Sequence, residues 1–185
     1  MDKKQIVIVC GYGCHLTPGY QEYLRRVVRY IGENFVELII VCGGKSQQKT
    51  APDKSEAEVI SSFLQNEPDW EELYAGRCGL PKIICETCSL TTLKNLGNAK
   101  DFIGEFSPKE YRLIIFCDAS RALKVKLLAM SIFPEYDIQI ETYDLSSRGE
   151  VKKQLMATNF EVLALKFPFL SRWHHQQRVK RAGRI

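Results

Sequence analysis

Ile83-Ile84-Cys85-Glu86-Thr87-Cys88-Ser89-Leu90-Thr91-Thr92-Leu93-Lys94-Asn95 passes from a short apolar run through a polar turn into an amphipathic segment that ends near Phe106. That succession predicts a strand, a turn and a helix. Glu86, Ser89, Thr92 and Asn95 recur at every third residue. Ser89, Thr92 and Asn95 can therefore share one side of the helix start. Hydroxyls and amides beside unpaired backbone N–H groups suit an anionic or polyol ligand. The plainer reading is a capped helix, with Ser89 as N-cap and Thr92 and Asn95 merely solvated.

The same rhythm extends in both directions. Gln5–Cys10 and Phe35–Cys42 are almost continuously apolar, as buried parallel strands are. Between them Tyr23, Leu24, Val27, Val28 and Ile31 form a helical stripe ending near Gly32. Ser55 and Glu58 fit a capping box that opens a helix on Ala57, Ile60, Phe63 and Leu64. A short amphipathic piece is expected around Trp70–Tyr74. Leu93, Leu96, Ile103 and Phe106 are expected on the core side of the next helix. Tyr111–Cys117 predicts a fourth strand, followed by a helix bearing Leu123, Leu127 and Met130. Asp137–Tyr143 alternates as an edge strand does, and Glu150–Lys166 reads as a last helix. The whole is a Rossmann-like α/β open sheet, mostly parallel, with helices on both faces, spanning residues 1–168. Residues 169–185 are expected to trail from it as a basic C-terminal tail.

The net charge of +4 is concentrated in that tail. Residues 172–185 hold Arg172, Arg178, Lys180, Arg181 and Arg184 and no acid, which leaves 21 basic against 22 acidic residues elsewhere. A near-neutral body assigns any nucleic-acid contact to the tail alone. No apolar run approaches the ~20 residues that span a bilayer. Met1–Gln5 runs straight into a strand without the apolar core of a signal peptide, so a cytoplasmic address and no membrane partner are expected. Seven cysteines, an odd number, argue against a disulfide framework. Cys85-x-x-Cys88 has no second pair to complete a four-thiolate zinc site, and Cys85 ends a strand where a redox motif would open a helix. No metal is expected.

In open α/β sheets ligands bind beyond the carboxyl ends of the strands. Four such ends are polar here: Gly11-Tyr12-Gly13, Gly43-Gly44-Lys45, Glu86–Ser89 and Asp118–Arg121. Gly11-x-Gly13 lacks the third glycine of a dinucleotide turn, Leu16 standing in its place, and Pro18 interrupts the helix start. Gly44-Lys45-Ser46 resembles the end of a phosphate-binding loop, but the opening glycine would fall at Ile39, inside a strand. His15 stands in a strand-end loop, yet no Ser-His-Asp or Cys-His order declares itself. Arg121 and Lys124, near the start of the fourth helix, oppose its dipole unless an anion lies between.

Taken together, the strand with Gly43-Gly44, then Ser55-Glu56-Ala57, then Glu86-x-x-Ser89-x-x-Thr92-x-x-Asn95, then a strand leading to Arg121, resembles the YdcF/SanA-type family of domains of unknown function. The likeness covers roughly residues 5–133. It implies a polar cleft at the strand ends and an S-adenosylmethionine-like ligand. Relatives with membrane segments are associated with the cell envelope; this sequence shows no such segment. Family members usually carry threonine or serine, then histidine, then an arginine three residues later. Here the stretch reads Cys117-Asp118-Ala119-Ser120-Arg121-Ala122-Leu123-Lys124, with Ser120 in the place of the histidine and Arg121 or Lys124 in the cationic role.

The expectation is a small anionic, nucleotide-like ligand, handled by a binding protein, a transferase or a hydrolase. Glu86 is the candidate catalytic or hydroxyl-binding carboxylate. Gly11, Tyr12, Gly13, Gly43, Gly44, Lys45, Ser55, Glu56, Ser89, Thr92, Asn95, Asp118, Ser120, Arg121 and Lys124 are candidate ligand-binding residues. The alternative is a non-catalytic regulatory module whose tail contacts nucleic acid or an acidic partner.

Overall fold

The computed structural model describes residues 3–47, 50, 51, 53–68, 70, 79–145 and 150–181. Five strands, β1 (Lys4–Cys10), β2 (Val36–Cys42), β3 (Lys82–Glu86), β4 (Tyr111–Asp118) and β5 (Asp137–Tyr143), lie in the order β3-β2-β1-β4-β5. Every pairing is parallel. The chain winds outward from β1 to β3, then returns to the other side of β1 for β4 and β5. The strand order therefore reverses between β1 and β4, where a crevice opens at the carboxyl ends.

Side chains alternate across each strand, so the two faces draw on interleaved residues. Val7, Val9, Ile39, Val41, Ile114 and Phe116 pack against α1 (Pro18–Glu33) and α2 (Glu56–Asn66). Ile6, Ile8, Leu38, Ile40, Leu113 and Ile115 meet α3 (Thr92–Ile103) and α4 (Ala122–Ile132). Both faces are covered, which is why the inner strands read as unbroken apolar runs. Val162 and Leu165 of α5 (Glu150–Lys166) join the second core.

Helix starts follow local chemistry. Ser55 and Glu58 form the expected capping box on α2. Thr17 caps α1 and Pro18 is its first residue. A proline there loses no intrahelical bond, so Pro18 opens the helix and does not interrupt it. Thr91, not Ser89, caps α3, accepting from the Lys94 N–H at 3.2 Å.

Packing sets the buried face of α4 and corrects one expectation. Leu123, Leu127 and Met130 are exposed, while Lys124, Val125, Leu128, Ala129 and Ile132 form the buried face of α4. A single turn of 3-10 helix, Ala119–Arg121, precedes α4 and sets its rotation. Among the described residues the basic segment does not trail. Pro168–Arg181 is a helix, α6, lying against α5 with Phe160 5.7 Å from Trp173 and 5.1 Å from His174, centroid to centroid. Apart from buried Trp70, the piece expected at Trp70–Tyr74 lies outside the described residues, as do Cys78 and Arg184.

Candidate functional site

The floor of the crevice is made where β1 and β2 end. Gly43 has φ +147°, a conformation that side-chain-bearing residues rarely adopt. Its N–H donates to Glu86 O at 3.0 Å, and its carbonyl accepts from the Ala57 N–H at 2.9 Å. Gly44 is held between elements: its N–H donates to Ser89 O at 2.7 Å and its carbonyl accepts from the Glu56 N–H at 3.2 Å. The Glu58 N–H goes to Ser55 Oγ at 3.1 Å. The first amides of α2 are thus consumed within the fold.

Glu56, the first residue of α2, lies back over this floor. A Cβ on Gly43 would stand 2.6 Å from Glu56 Cβ and 2.8 Å from Glu56 Oε2. One on Gly11 would stand 2.8 Å from Glu56 Cβ. Such approaches are closer than real Cβ atoms make, so the two glycines leave room for this side chain. Glu56 Oε1 accepts a hydrogen bond from the Ser46 hydroxyl. Among the described residues no cation pairs with it.

The β3–α3 turn is tied from within. Glu86, 3% exposed, accepts from the Cys88 N–H and from Asn98 Nδ2, both at 3.0 Å to Oε1. Asn98 Nδ2 also donates to Ser89 Oγ at 3.0 Å. Glu86 Oε2 is buried without a hydrogen-bond partner. Glu86 is not on the wall of the crevice, so the expectation of a carboxylate turned toward ligand is replaced by one that fastens the turn to α3. Asn98 escaped the sequence reading, although one more step of the spacing by three reaches it.

On the β4 side, Asp118 and Ser120 also work internally. Asp118 accepts from the Ser120 N–H at 3.2 Å and from the Ser120 hydroxyl at 2.9 Å, closing the turn that starts α4. Arg121 reaches across to β1. Its Nη1 donates to Gly11 O at 3.1 Å, and its guanidinium lies 5.1 Å from the centroid of the Tyr12 ring. Arg121 Nε is buried and has no acceptor. Asn95 Oδ1 is likewise buried without a partner.

Lys124 and Glu161 change the electrostatics most. Lys124 is 4% exposed and pairs with Glu161 Oε1 at 3.4 Å. Burial holds its ammonium below the ordinary lysine value, although Glu161 pulls the other way. Glu161 Oε2 accepts from the Leu93 N–H at 2.9 Å, at the start of α3. The anion expected at that helix start is thus supplied by the chain, and Lys124 meets it there and not on a free ligand. The available signal was one acid in the otherwise apolar run Phe160–Leu165.

These groups enclose a cleft of about 320 Å³. Of the expected residues, Gly11, Tyr12, Gly13, Gly43, Glu56, Ser89, Thr92, Asn95, Arg121 and Lys124 line it. Gly44, Lys45, Ser55, Glu86, Asp118 and Ser120 do not. Ser46, Gln47, Glu161 and Arg178 of α6 line it without having been anticipated. A larger groove of about 910 Å³ runs between the β1–α1 loop and α2, past Cys14 and His15. Its polar groups are largely engaged: Glu58 by Ser55, Glu67 by Arg25, and the Cys14 N–H by Gln47. Among the described residues no three His, Cys, Asp or Glu side chains are grouped to hold a metal ion.

Fold and cleft define a doubly wound α/β domain with a polar crevice at its topological switch point. No protein-family model matches the chain, and no curated protein matches it in sequence. Among the described residues no helix is long and apolar enough to cross a membrane.

Proposed function

We propose that this domain binds a small anionic, nucleotide-like molecule in the crevice between β1 and β4. The observation that carries this reading is Arg121. Its guanidinium is fixed by the Gly11 carbonyl and the Tyr12 ring, yet its Nε is buried without an acceptor. A buried donor left unpaired costs about 1–3 kcal/mol, and an anionic group from a ligand would remove that cost. Arg178 of α6 lines the same cleft. An S-adenosylmethionine-like ligand, implied by the YdcF/SanA resemblance, is a net cation and would offer Arg121 only its carboxylate; the reading does not depend on that resemblance. Of the two carboxylates that line the cleft, Glu161 is taken up by Lys124 and the Leu93 N–H, so Glu56, and not Glu86, is the acid/base candidate for any transfer or hydrolysis.

The test is titration calorimetry of adenosine 5′-monophosphate, S-adenosylmethionine and adenosine against wild type and Arg121→Ala. Charge-assisted hydrogen bonds are worth about 1.5–3 kcal/mol, so the charged ligands should lose roughly ten- to a hundredfold in affinity. Adenosine should lose far less. Absence of binding by the whole series, or equal losses for charged and neutral ligands, would remove the reading.

A second reading, a regulatory module that contacts nucleic acid, draws on α6. Phe169 and Trp173 are 65% and 52% exposed beside exposed Arg172 and Lys180, a pairing of aromatic and basic groups that suits single strands. Because α6 packs on α5, the clean test is Arg172→Glu with Lys180→Glu, not deletion.

A further inference from the structure

The crevice is lined by a carboxylate, Glu56, and a guanidinium, Arg121, and the two together select a kind of ligand beyond its negative charge. This step rests on the reading of the cleft as a nucleotide-like site. Glycines at the ends of β1 and β2 in such folds ordinarily let a phosphate approach the backbone. Here that space is taken. The side chain of Glu56 lies against Gly11 and Gly43, so a phosphate placed there would meet a carboxylate. The anionic end of a ligand is therefore directed to Arg121, and a hydrogen-bond-donating end is directed to Glu56.

We infer that Glu56 and Ser46 form a hydroxyl-recognition pair that takes the vicinal diol of a ribose-type sugar. Glu56 Oε1 already accepts the Ser46 hydroxyl, which places one OH where a sugar OH would follow it. No hydrogen bond or ion pair engages Glu56 Oε2 among the described residues, and both residues line the cleft. A carboxylate has about four lone-pair positions, so it can hold the serine and both hydroxyls of a diol. Arg121, held by the Gly11 carbonyl, keeps its Nε for an acceptor. Donors at one end and an acceptor at the other describe a sugar phosphate.

The probes are adenosine 5′-monophosphate, its 2′,3′-dideoxy analogue and its 3′-amino-3′-deoxy analogue, titrated into the full chain. Wild type should bind the ribonucleotide roughly ten- to a hundredfold more tightly than the dideoxy form, since hydrogen bonds to a charged acceptor are lost. Glu56→Ala, which removes the acceptor, should bring that ratio near unity; Glu56→Gln, still an acceptor but uncharged, and Ser46→Ala should each reduce it less. Wild type alone decides the matter if a variant fails to fold. Equal binding of ribo and dideoxy forms by wild type overturns the diol assignment while leaving the anion site standing. Tighter binding of the amino analogue overturns it too, making Glu56 an ammonium site. Failure of all three probes to bind overturns the nucleotide-like reading itself.

Discussion

Lys124 of α4 and Glu161 of α5 stand 3.4 Å apart, 4% and 1% exposed, and Glu161 also closes the start of α3 through the Leu93 N–H. Three helices thus meet on one buried carboxylate. Breaking a buried pair by removing one partner costs about 3–5 kcal/mol, because the other charge stays buried. Lys124→Met should cost that much in urea unfolding. Adding Glu161→Gln, which can still accept from Leu93, should recover more than half of it. A double mutant as unstable as the sum of the singles would show that the two residues act separately.

Glu86 is expected to matter for stability more than for binding. Glu86→Ala leaves the Cys88 N–H and the Asn98 amide without their acceptor, a loss of about 2–3 kcal/mol. Nucleotide affinity of the folded fraction should change little. Unchanged stability with a roughly tenfold or larger affinity loss would return Glu86 to the ligand site.

Two glycines predict opposite signs. At Gly44 a Cβ would stand 2.5 Å from Ser89 O and 2.9 Å from Thr87 O, both backbone atoms that cannot swing away. Gly44→Ala should therefore cost about 1–3 kcal/mol, as overpacking does. At Gly97, inside α3, a Cβ meets nothing within 4 Å. Gly97→Ala should stabilise by about 1 kcal/mol through helix propensity. Thermal melts of both variants check the pair.

Alkaline pH should unfold the protein early. Burial pushes the Cys10 thiol up from 9.0 to about 11, and raises Cys42 and Cys117 as well. The folded state then binds more protons than the unfolded chain above pH 9, so stability is full below pH 9 and falls as pH rises. For Cys10 alone the loss of stability is roughly 2–3 kcal/mol by pH 11. Lys124 has the opposite sign, since its lowered value means that the unfolded chain binds more protons until pH 10.5. Cys14 and the buried Tyr20 and Tyr23 are raised in the same direction as these thiols, so the net slope against one ammonium is negative. Chemical denaturation from pH 7 to 10.5 measures it, and stability that held or rose above pH 9 would contradict the assignment. In the same range Cys85 and Cys88, both exposed, should alkylate while Cys10, Cys42 and Cys117 stay protected.

Nucleic-acid binding by α6 has its own signature. Five basic residues between 172 and 185 permit at most about five phosphate contacts, a log–log salt slope no steeper than about −3.5 on a single strand. Arg172→Glu with Lys180→Glu should abolish such binding with the melt unchanged. Binding that survives both changes would place the contact on the α/β body.

Local patterns determined the fold of this chain. Apolar runs at Gln5–Cys10, Phe35–Cys42 and Tyr111–Cys117 and the Ser55–Glu58 capping box state secondary structure directly, because strand burial and helix capping are short-range requirements. The strand-end cleft was legible for the same reason: parallel strands put their carboxyl ends on one edge. Which polar residue faces that cleft was not. Glu86 ends β3 and Glu56 opens α2, but Glu86 turns inward to Cys88 and Asn98, while Glu56 lies over Gly11 and Gly43 at the ends of two other strands. Glu161 and Arg178 come from helices far along the chain, and nothing local announces that they close the crevice. Charges at long sequence separation find their partners only when the helices are laid side by side, so the chemistry of the cleft was decided by tertiary packing.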